Sequence, residues 1–319
     1  MNEALVDVFK FFPRKDLDHF TLVSGLWHNL IDTYGQQLPI REINIHFNRD
    51  VRDSIILKSG GKEVSFRYAS ILKYPEILKK AVENSKIVNV KANIYPRYWE
   101  SRLKQMCNVF EEPVQIRKFE LEAHGNCRLE GFIRVFSERF LADQLTLQMD
   151  PILFTALISG QHYLPTLNFG PNTKEINFEV TGSDENWVYF DGNMERFITG
   201  RMFEWSSRIN ELSIDVHKDN LMSESEDMFG CLLGSEQPDK CIKSIQLMVA
   251  SDDGFGDKGD QIIEFAMAWD MQFAMAWDPM EPDLNELYKV HPRGDFIVEW
   301  YYDEESVSVV LRELNKKQT

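Results

Sequence analysis

Short segments with apolar residues at every second position recur through the middle of this chain and constrain its fold most strongly. Their first apolar residues are 88, 119, 145, 176, 212 and 245, so consecutive segments start 26 to 36 residues apart. Alternation of this kind is typical of β-strands with one buried face. The six predicted strands span residues 88–92, 119–123, 145–149, 176–180, 212–216 and 245–249.

Short helical patterns lie between these strands. The clearest has Leu103, Met106, Cys107 and Phe110 on one helical face, and weaker patterns occupy residues 131–140, 197–202 and 228–233. One strand and one helix in about thirty residues is the plan of a leucine-rich-repeat solenoid. The sequence therefore predicts an α/β domain built as a leucine-rich-repeat-like solenoid. Because the repeat consensus with its Asn or Cys ladder is absent, an irregular α+β domain is the alternative.

Further strands are predicted on both sides of this series. Residues 41–47 alternate in polarity, and residues 54–58 and 63–68 flank Gly60-Gly61, which is a hairpin signal. A helix is predicted over residues 75–84, with Pro75 in its first turn. Residues 295–302 and 306–311 read as a closing hairpin that could cap the solenoid.

Composition indicates a globular protein of a reducing compartment. The chain has 319 residues, of which 43% are hydrophobic and 12% aromatic. No apolar run is long enough for a membrane span, and Asp7, Lys10 and Arg14 interrupt any signal-peptide core. Cytoplasmic or nuclear localisation is expected, with free thiols. The spacing of the four cysteines is not that of metal ligands. They are Cys107, Cys127, Cys231 and Cys241.

The net charge of -16 is unevenly distributed. Residues 1–120 carry 19 Lys and Arg against 15 Asp and Glu, whereas residues 121–319 carry 16 against 36. An acidic majority disfavours nucleic-acid binding, which needs cations against phosphate. It is compatible with a basic protein partner, and also with charge that serves only solubility.

Catalytic and cofactor motifs are weak. Gly254–Gly259 fits the G-x-G-x-x-G pattern, but Asp252, Asp253, Asp257 and Asp260 crowd the same stretch and would repel a pyrophosphate. An acidic loop is the prediction there. The seven histidines are dispersed, and no Gly-x-Ser-x-Gly elbow is present. The sequence thus predicts a non-enzyme with no cofactor and no metal site.

The first thirty-odd residues predict three short helices. Leu5, Val8, Phe9 and Phe12 lie on one face of the first, which Pro13 ends. The second helix has Asp16 as its cap and carries Leu17, Phe20 and Val23, and the third carries Leu26, Trp27, Leu30 and Ile31. So small a unit cannot fold alone and must pack on something else. The predicted organisation is a three-helix module at residues 1–34 and an α/β domain at residues 40–319.

The module resembles an F-box. The family pattern has a Glu, an aliphatic residue five positions later, a large apolar residue and Pro at nine and ten, and Leu at fourteen, followed by Val-Ser, an aromatic residue and Leu-Ile. The matching residues, without a gap, are Glu3, Val8, Phe12, Pro13, Leu17, Val23, Ser24, Trp27, Leu30 and Ile31. The family's leading Leu-Pro would precede Asn2, where this sequence has only Met1, so the first adaptor contact is expected to be missing.

The resemblance implies a substrate-recognition subunit of a Skp–cullin–F-box ubiquitin ligase. In that arrangement the F-box docks on a Skp-type adaptor, which connects it to a cullin, and the rest of the chain holds a protein substrate. The implied adaptor-binding residues are Leu5, Val8, Phe12, Pro13, Leu17, Val23, Trp27, Leu30 and Ile31. The alternative is a non-catalytic solenoid scaffold with no ligase link, in which the three helices cap the first strand.

Overall fold

The computed structural model describes most of the chain. The described residues are 2–12, 16–17, 20–34, 37–38, 41–48, 54–59, 62–82, 85–94, 99–125, 127, 129–159, 173–182, 188–202, 206–217, 220–249, 286–302 and 306–314. They form two compact units, the first containing the described residues up to 122 together with 131–143 and the second containing the others. The predicted boundary between residues 34 and 40 lies inside the first unit, and the division into 1–34 and 40–319 stays a prediction.

The first unit begins with helical segments, which include the described residues 16, 17 and 20, and continues as a mixed α/β arrangement. Its elements are α1 Asn2–Phe9, α2 Gly25–Thr33, β1 Arg41–Asn48, β2 Ser54–Ser59, β3 Lys62–Arg67, α3 Tyr68–Lys73, α4 Pro75–Val82, β4 Ser85–Ile94, α5 Trp99–Cys107, β5 Val114–Ala123 and most of α6 Leu129–Ser137. Strand β6 Phe140–Met149 begins in this unit and ends in the second.

The strands of the first unit pair in the order β5-β4-β1-β2-β3. Strand β1 is parallel to β4 and antiparallel to β2, which is in turn antiparallel to β3. Residues 43, 45 and 47 of β1 are buried while their neighbours are not, so the alternation in the sequence corresponds to one packed face. On that face Phe47 contacts Phe136 of α6, with ring centroids 5.5 Å apart.

The second unit repeats strand and helix and then closes with antiparallel strands. Its elements after β6 are α7 Pro151–Ile158, β7 Glu175–Val180, α8 Gly192–Ile198, β8 Ile209–Val216, α9 Leu221–Leu233, β9 Ser244–Val249, β10 Glu286–Val290, β11 Phe296–Tyr302 and β12 Ser306–Glu313. Short 3₁₀ turns lie at Ser206–Arg208 and Pro238–Lys240.

The strand order of the second unit is β10-β11-β12-β9-β8-β7-β6. Strands β6 to β9 are parallel, because each is joined to the next through a helix. Strands β12, β11 and β10 are antiparallel to their neighbours. The two kinds of pairing together make this unit α/β with an antiparallel edge.

An aromatic cluster joins the helices of the second unit to its strands. Phe197 of α8 lies 5.6 Å from Phe154 of α7 and 5.8 Å from Phe178 of β7, both as centroid distances in edge-to-face geometry. All three side chains are fully buried. Aromatic pairs in this geometry add to the stabilisation from buried area, so the cluster fixes two helices on the parallel strands.

Side-chain caps and one glycine explain where these helices begin and end. Asp150 accepts the Leu153 N–H at 2.8 Å at the start of α7, and Asp191 accepts the Met194 N–H at 2.9 Å at the start of α8. Gly200, just after α8, has φ +70°, and a Cβ there would overlap the Lys240 carbonyl oxygen. Only glycine fits this turn without strain.

Most sequence-predicted elements are confirmed, with local corrections. The six recurring segments lie within β4 to β9, and the closing hairpin is β11 paired with β12. The prediction that Tyr68 ends a strand is wrong, because Tyr68 begins α3. Helices α3 and α7 and strand β10 were not predicted, and the helical pattern assigned to residues 131–140 is wrong at its end, because Phe140 begins β6. Whether the strand–helix units constitute a leucine-rich-repeat-like solenoid or an irregular α+β domain stays a prediction.

Candidate functional site

The N-terminal module, defined as residues 2–34, has a hydrophobic core of its own. Val6 and Phe9 of α1 and Leu30 and Ile31 of α2 are buried in one cluster together with Leu17. Leu38 completes the buried set, and the half-buried side chains around it are Leu5, Phe20, Trp27 and Tyr34. The inward-facing side chains of α1 and α2 therefore pack against one another within this core.

Aromatic rings hold the helices of the module together. Trp27 lies 5.6 Å from Phe9 and 5.2 Å from Phe20, measured between ring centroids. Phe12 reaches the same group through Phe20, at 5.1 Å. Ser24 caps α2 by accepting the Leu26 N–H at 3.2 Å. These contacts position the residues that remain on the outside.

A set of large apolar side chains on this module faces solvent. Phe11 is 89% exposed and Leu22 is 82% exposed. We call the set the N-terminal apolar surface; its members are Val8, Phe11, Phe12, Leu22, Val23 and Leu26. Contiguous apolar patches mark protein-interaction sites, so a small module with six exposed apolar side chains is a candidate for one.

The structure divides the nine sequence-predicted adaptor residues by exposure. Those that face solvent are Val8, Phe12 and Val23, and those that are half-buried are Leu5 and Trp27. The buried ones are Leu17, Leu30 and Ile31. Pro13 lies outside the described residues. A buried side chain cannot touch a partner directly, so Leu17, Leu30 and Ile31 support the surface from within the module.

The adaptor residues implied by the sequence do not include Phe11, Leu22 and Leu26, which are exposed members of the N-terminal apolar surface. Phe11 lies next to a predicted contact, and its N–H bonds to the carbonyl of Val8 in a turn that continues α1. In a helical projection Phe11 lies outside the apolar face formed by Leu5, Val8, Phe9 and Phe12. That position is the sequence signal that Phe11 points outward.

A second surface of interest is formed by the polar positions of the parallel strands in the second unit. Its members, which we call the acidic strand face, are Gln144, Thr146, Gln148, Glu175, Asn177, Glu179, Glu211, Ser213, Asp215, Ser244, Gln246 and Met248. All are half-buried or exposed except Thr146. The positions between them are buried toward the helices, as Phe178 is against Phe197 of α8.

The acidic strand face contains four carboxylates and no Lys or Arg. Gln144 donates to Glu175 at 2.6 Å, and Asp215 accepts the Gly182 N–H at 3.0 Å. The Asn177 side-chain oxygen is buried and accepts no hydrogen bond from any described residue. A face with this charge and with an unused acceptor suits a partner that brings cations and hydrogen-bond donors.

Burial raises the pKa of the Asp215 carboxyl above its usual value, and the hydrogen bond from Gly182 opposes that shift. The folded chain therefore keeps this proton to a higher pH than the unfolded chain does. Consequently, the contribution of Asp215 to the free energy of unfolding falls as the pH rises from the ordinary aspartate pKa through the raised folded value.

We therefore expect Asp215→Asn to become more stable relative to the native sequence as the pH rises across this interval. Urea unfolding of both chains over a series of pH values measures the difference. Glu111→Gln is the matched control with the opposite sign, because the hydrogen bond from Lys79 lowers the pKa of Glu111. A difference for Asp215→Asn that stays flat or falls with pH would contradict the prediction.

Three of the four thiols are buried, and the fourth, Cys231, is half-buried. All four cysteines are free, and Cys107, Cys127 and Cys241 are buried. Burial raises the pKa of Cys107 on α5, and it raises the pKa of Cys231 on α9 to about 12. These thiols are protonated at neutral pH, which is the unreactive form.

Within the described residues, no group of three His, Cys, Asp or Glu side chains is placed to hold a metal ion. No helix in that part of the chain has the length and apolar character needed to cross a membrane. The stretch Gly254–Gly259, with its glycine pattern, lies outside the described residues. Comparisons with models of protein families, with curated proteins and with solved structures give no match for this chain.

Proposed function

We propose that this protein is the substrate-recognition subunit of a Skp–cullin–F-box ubiquitin ligase. Its N-terminal apolar surface docks on a Skp-type adaptor, and the remainder of the chain binds a protein substrate. The observation that supports this role most is the combination of a buried core within the module and exposed Phe11, Phe12 and Leu22 outside it. Aromatic and large aliphatic anchors of this kind dominate protein interfaces.

The acidic strand face is the proposed substrate-binding surface, and a basic protein segment is the proposed substrate. Glu175, Glu179, Glu211 and Asp215 supply negative charge along adjacent parallel strands. Lysine and arginine side chains of a partner would be attracted to this field and oriented by it. The proposed role is non-catalytic, uses no cofactor and is exercised in the cytoplasm or nucleus.

The alternative is a non-catalytic scaffold with no ligase link. One observation favours it: the N-terminal module belongs to the same compact unit as β1 to β4, as a cap on the first strands would. On this alternative the exposed side chains of the module have no adaptor partner, and removing residues 1–34 lowers solubility.

Titration calorimetry of the full chain with a purified Skp-type adaptor tests the proposal. We expect a one-to-one complex with a dissociation constant of about 1 µM or tighter, as interfaces with several apolar anchors reach this range. An adaptor already saturated with a well-behaved F-box protein serves as the control and should not bind. Lack of heat and of co-elution with the free adaptor would favour the scaffold.

A further inference from the structure

Among the strands that the structure describes, β3 is the outermost of the first unit, and its one neighbour is β2. Five of its six residues are exposed, and Phe66 is half-buried. Among the described residues, none extends the strand ladder beyond it. The unpaired N–H and C=O groups along such an edge are a template for one more strand.

A groove of about 300 Å³ lies directly beside this edge. Phe66, Ile71 and Leu78 are its more buried lining residues, while Tyr74 and Ile77 are 51% and 53% exposed. Helices α3 and α4, which follow β3 in the chain, provide half of this lining, and β3 itself provides Ser65, Phe66 and Arg67. An apolar recess beside an open strand edge can hold one large apolar side chain of an added strand.

The charge around the groove is positive. Arg67 is the one charged residue that lines it. Of the nearby acids, Glu63 pairs with Lys58 at 3.2 Å, and Lys79 is shared between Glu111 at 2.6 Å and Glu76 at 3.8 Å. Exposed Lys73 and Lys80 add further positive charge on α3 and α4.

We propose that the edge of β3 and this groove bind an extended acidic segment of a partner protein. The segment adds to β3 as a further strand, places one large apolar side chain against Ile71 and Ile77, and directs a carboxylate to Arg67. Main-chain pairing supplies affinity in this mode of binding, and the groove with its arginine supplies specificity. The proposal does not depend on the adaptor-binding role, which uses residues 2–34.

Selection of random phage-displayed peptides on the immobilised full chain tests the proposal. The expected outcome is a consensus with a large apolar residue and an aspartate or glutamate within two positions of it. Synthetic copies of the selected peptides should protect from hydrogen exchange those amides of residues 62–67 that do not pair with β2, because an added strand occupies the open edge.

Two variants then locate the site. Ile77→Ser and Arg67→Glu should each weaken the selected peptides by about tenfold or more, the cost of one anchoring contact. Ile152→Ser on α7 is the matched apolar control, since Ile152 is 50% exposed, and Lys86→Glu on β4 is the charge control. Both controls should bind as the native chain does, and all four variants should keep its melting temperature.

Three results would overturn the inference: a basic consensus, equal binding of the peptides to Ile77→Ser and the native chain, or no protection of residues 62–67. Adaptor binding by Ile77→Ser is measured in parallel and should be unchanged. If the peptides fail these tests while the native chain binds the adaptor, only the β3 site is rejected. If the native chain does not bind the adaptor but the peptides bind as expected, only the proposed function is rejected.

Discussion

Replacing Phe11 and Leu22 together with serine should weaken binding of a Skp-type adaptor about 100-fold or more, while the chain unfolds at the same temperature. Both side chains are more than four-fifths exposed, so their removal costs the fold little. Two apolar anchors at an interface account for losses of this size. Calorimetric titration measures the affinity, and a thermal melt checks the fold.

The matched control is the pair Ile152→Ser and Tyr189→Ser, which removes exposed apolar side chains from the second unit and should leave adaptor affinity unchanged. Leu17→Ala is the informative contrast, because Leu17 is fully buried in the core of the module. Leu17→Ala should weaken binding because it destabilises the module, and it should therefore also lower the melting temperature. Unchanged affinity after loss of Phe11 and Leu22 would mean that the adaptor, if it binds, uses another surface.

Phe197→Ala should lower the free energy of unfolding of the second unit by about 3–5 kcal/mol, the usual cost of emptying a buried phenylalanine site. Phe197 contacts both Phe154 and Phe178, so the substitution also removes two edge-to-face contacts. Urea unfolding followed by circular dichroism measures the change.

Phe11→Ala makes the same chemical change at a position exposed to solvent, and it should alter the free energy of unfolding by about 0.5 kcal/mol or less. Comparing the two variants separates the loss of buried packing from the effect of the Phe-to-Ala change itself. A loss below about 1 kcal/mol for Phe197→Ala would show that the cluster around it can collapse to fill the cavity.

The strands of this protein were predictable because one face of each is packed and the other is not. In β7, residues 176, 178 and 180 are buried while 175, 177 and 179 are not, and the sequence alternates in the same way. Helix α7 was missed for the converse reason. Five of its eight residues are buried, so its sequence shows little amphipathic period. Asp150 followed by Pro151 is the start signal that could have revealed it.

The candidate site was only partly predictable. The N-terminal pattern predicted the helices α1 and α2, but the predicted adaptor residues grouped buried Leu17 and Leu30 with exposed Val8 and Val23. A sequence motif records which positions matter for a module without separating those that form its core from those that contact a partner. The open edge of β3 was not predicted at all, because the order of strands in a sheet depends on pairing between distant segments.

The buried thiols of this protein can report how often each of its two compact units opens. A cysteine is alkylated only as the thiolate, and burial keeps Cys107 and Cys241 protonated until the surrounding structure opens. The rate of alkylation at Cys107 thus reports how often the first unit opens, and the rate at Cys241 reports the same for the second. Peptide mapping after a pulse of iodoacetamide would read both rates from the native sequence, without a label or a substitution.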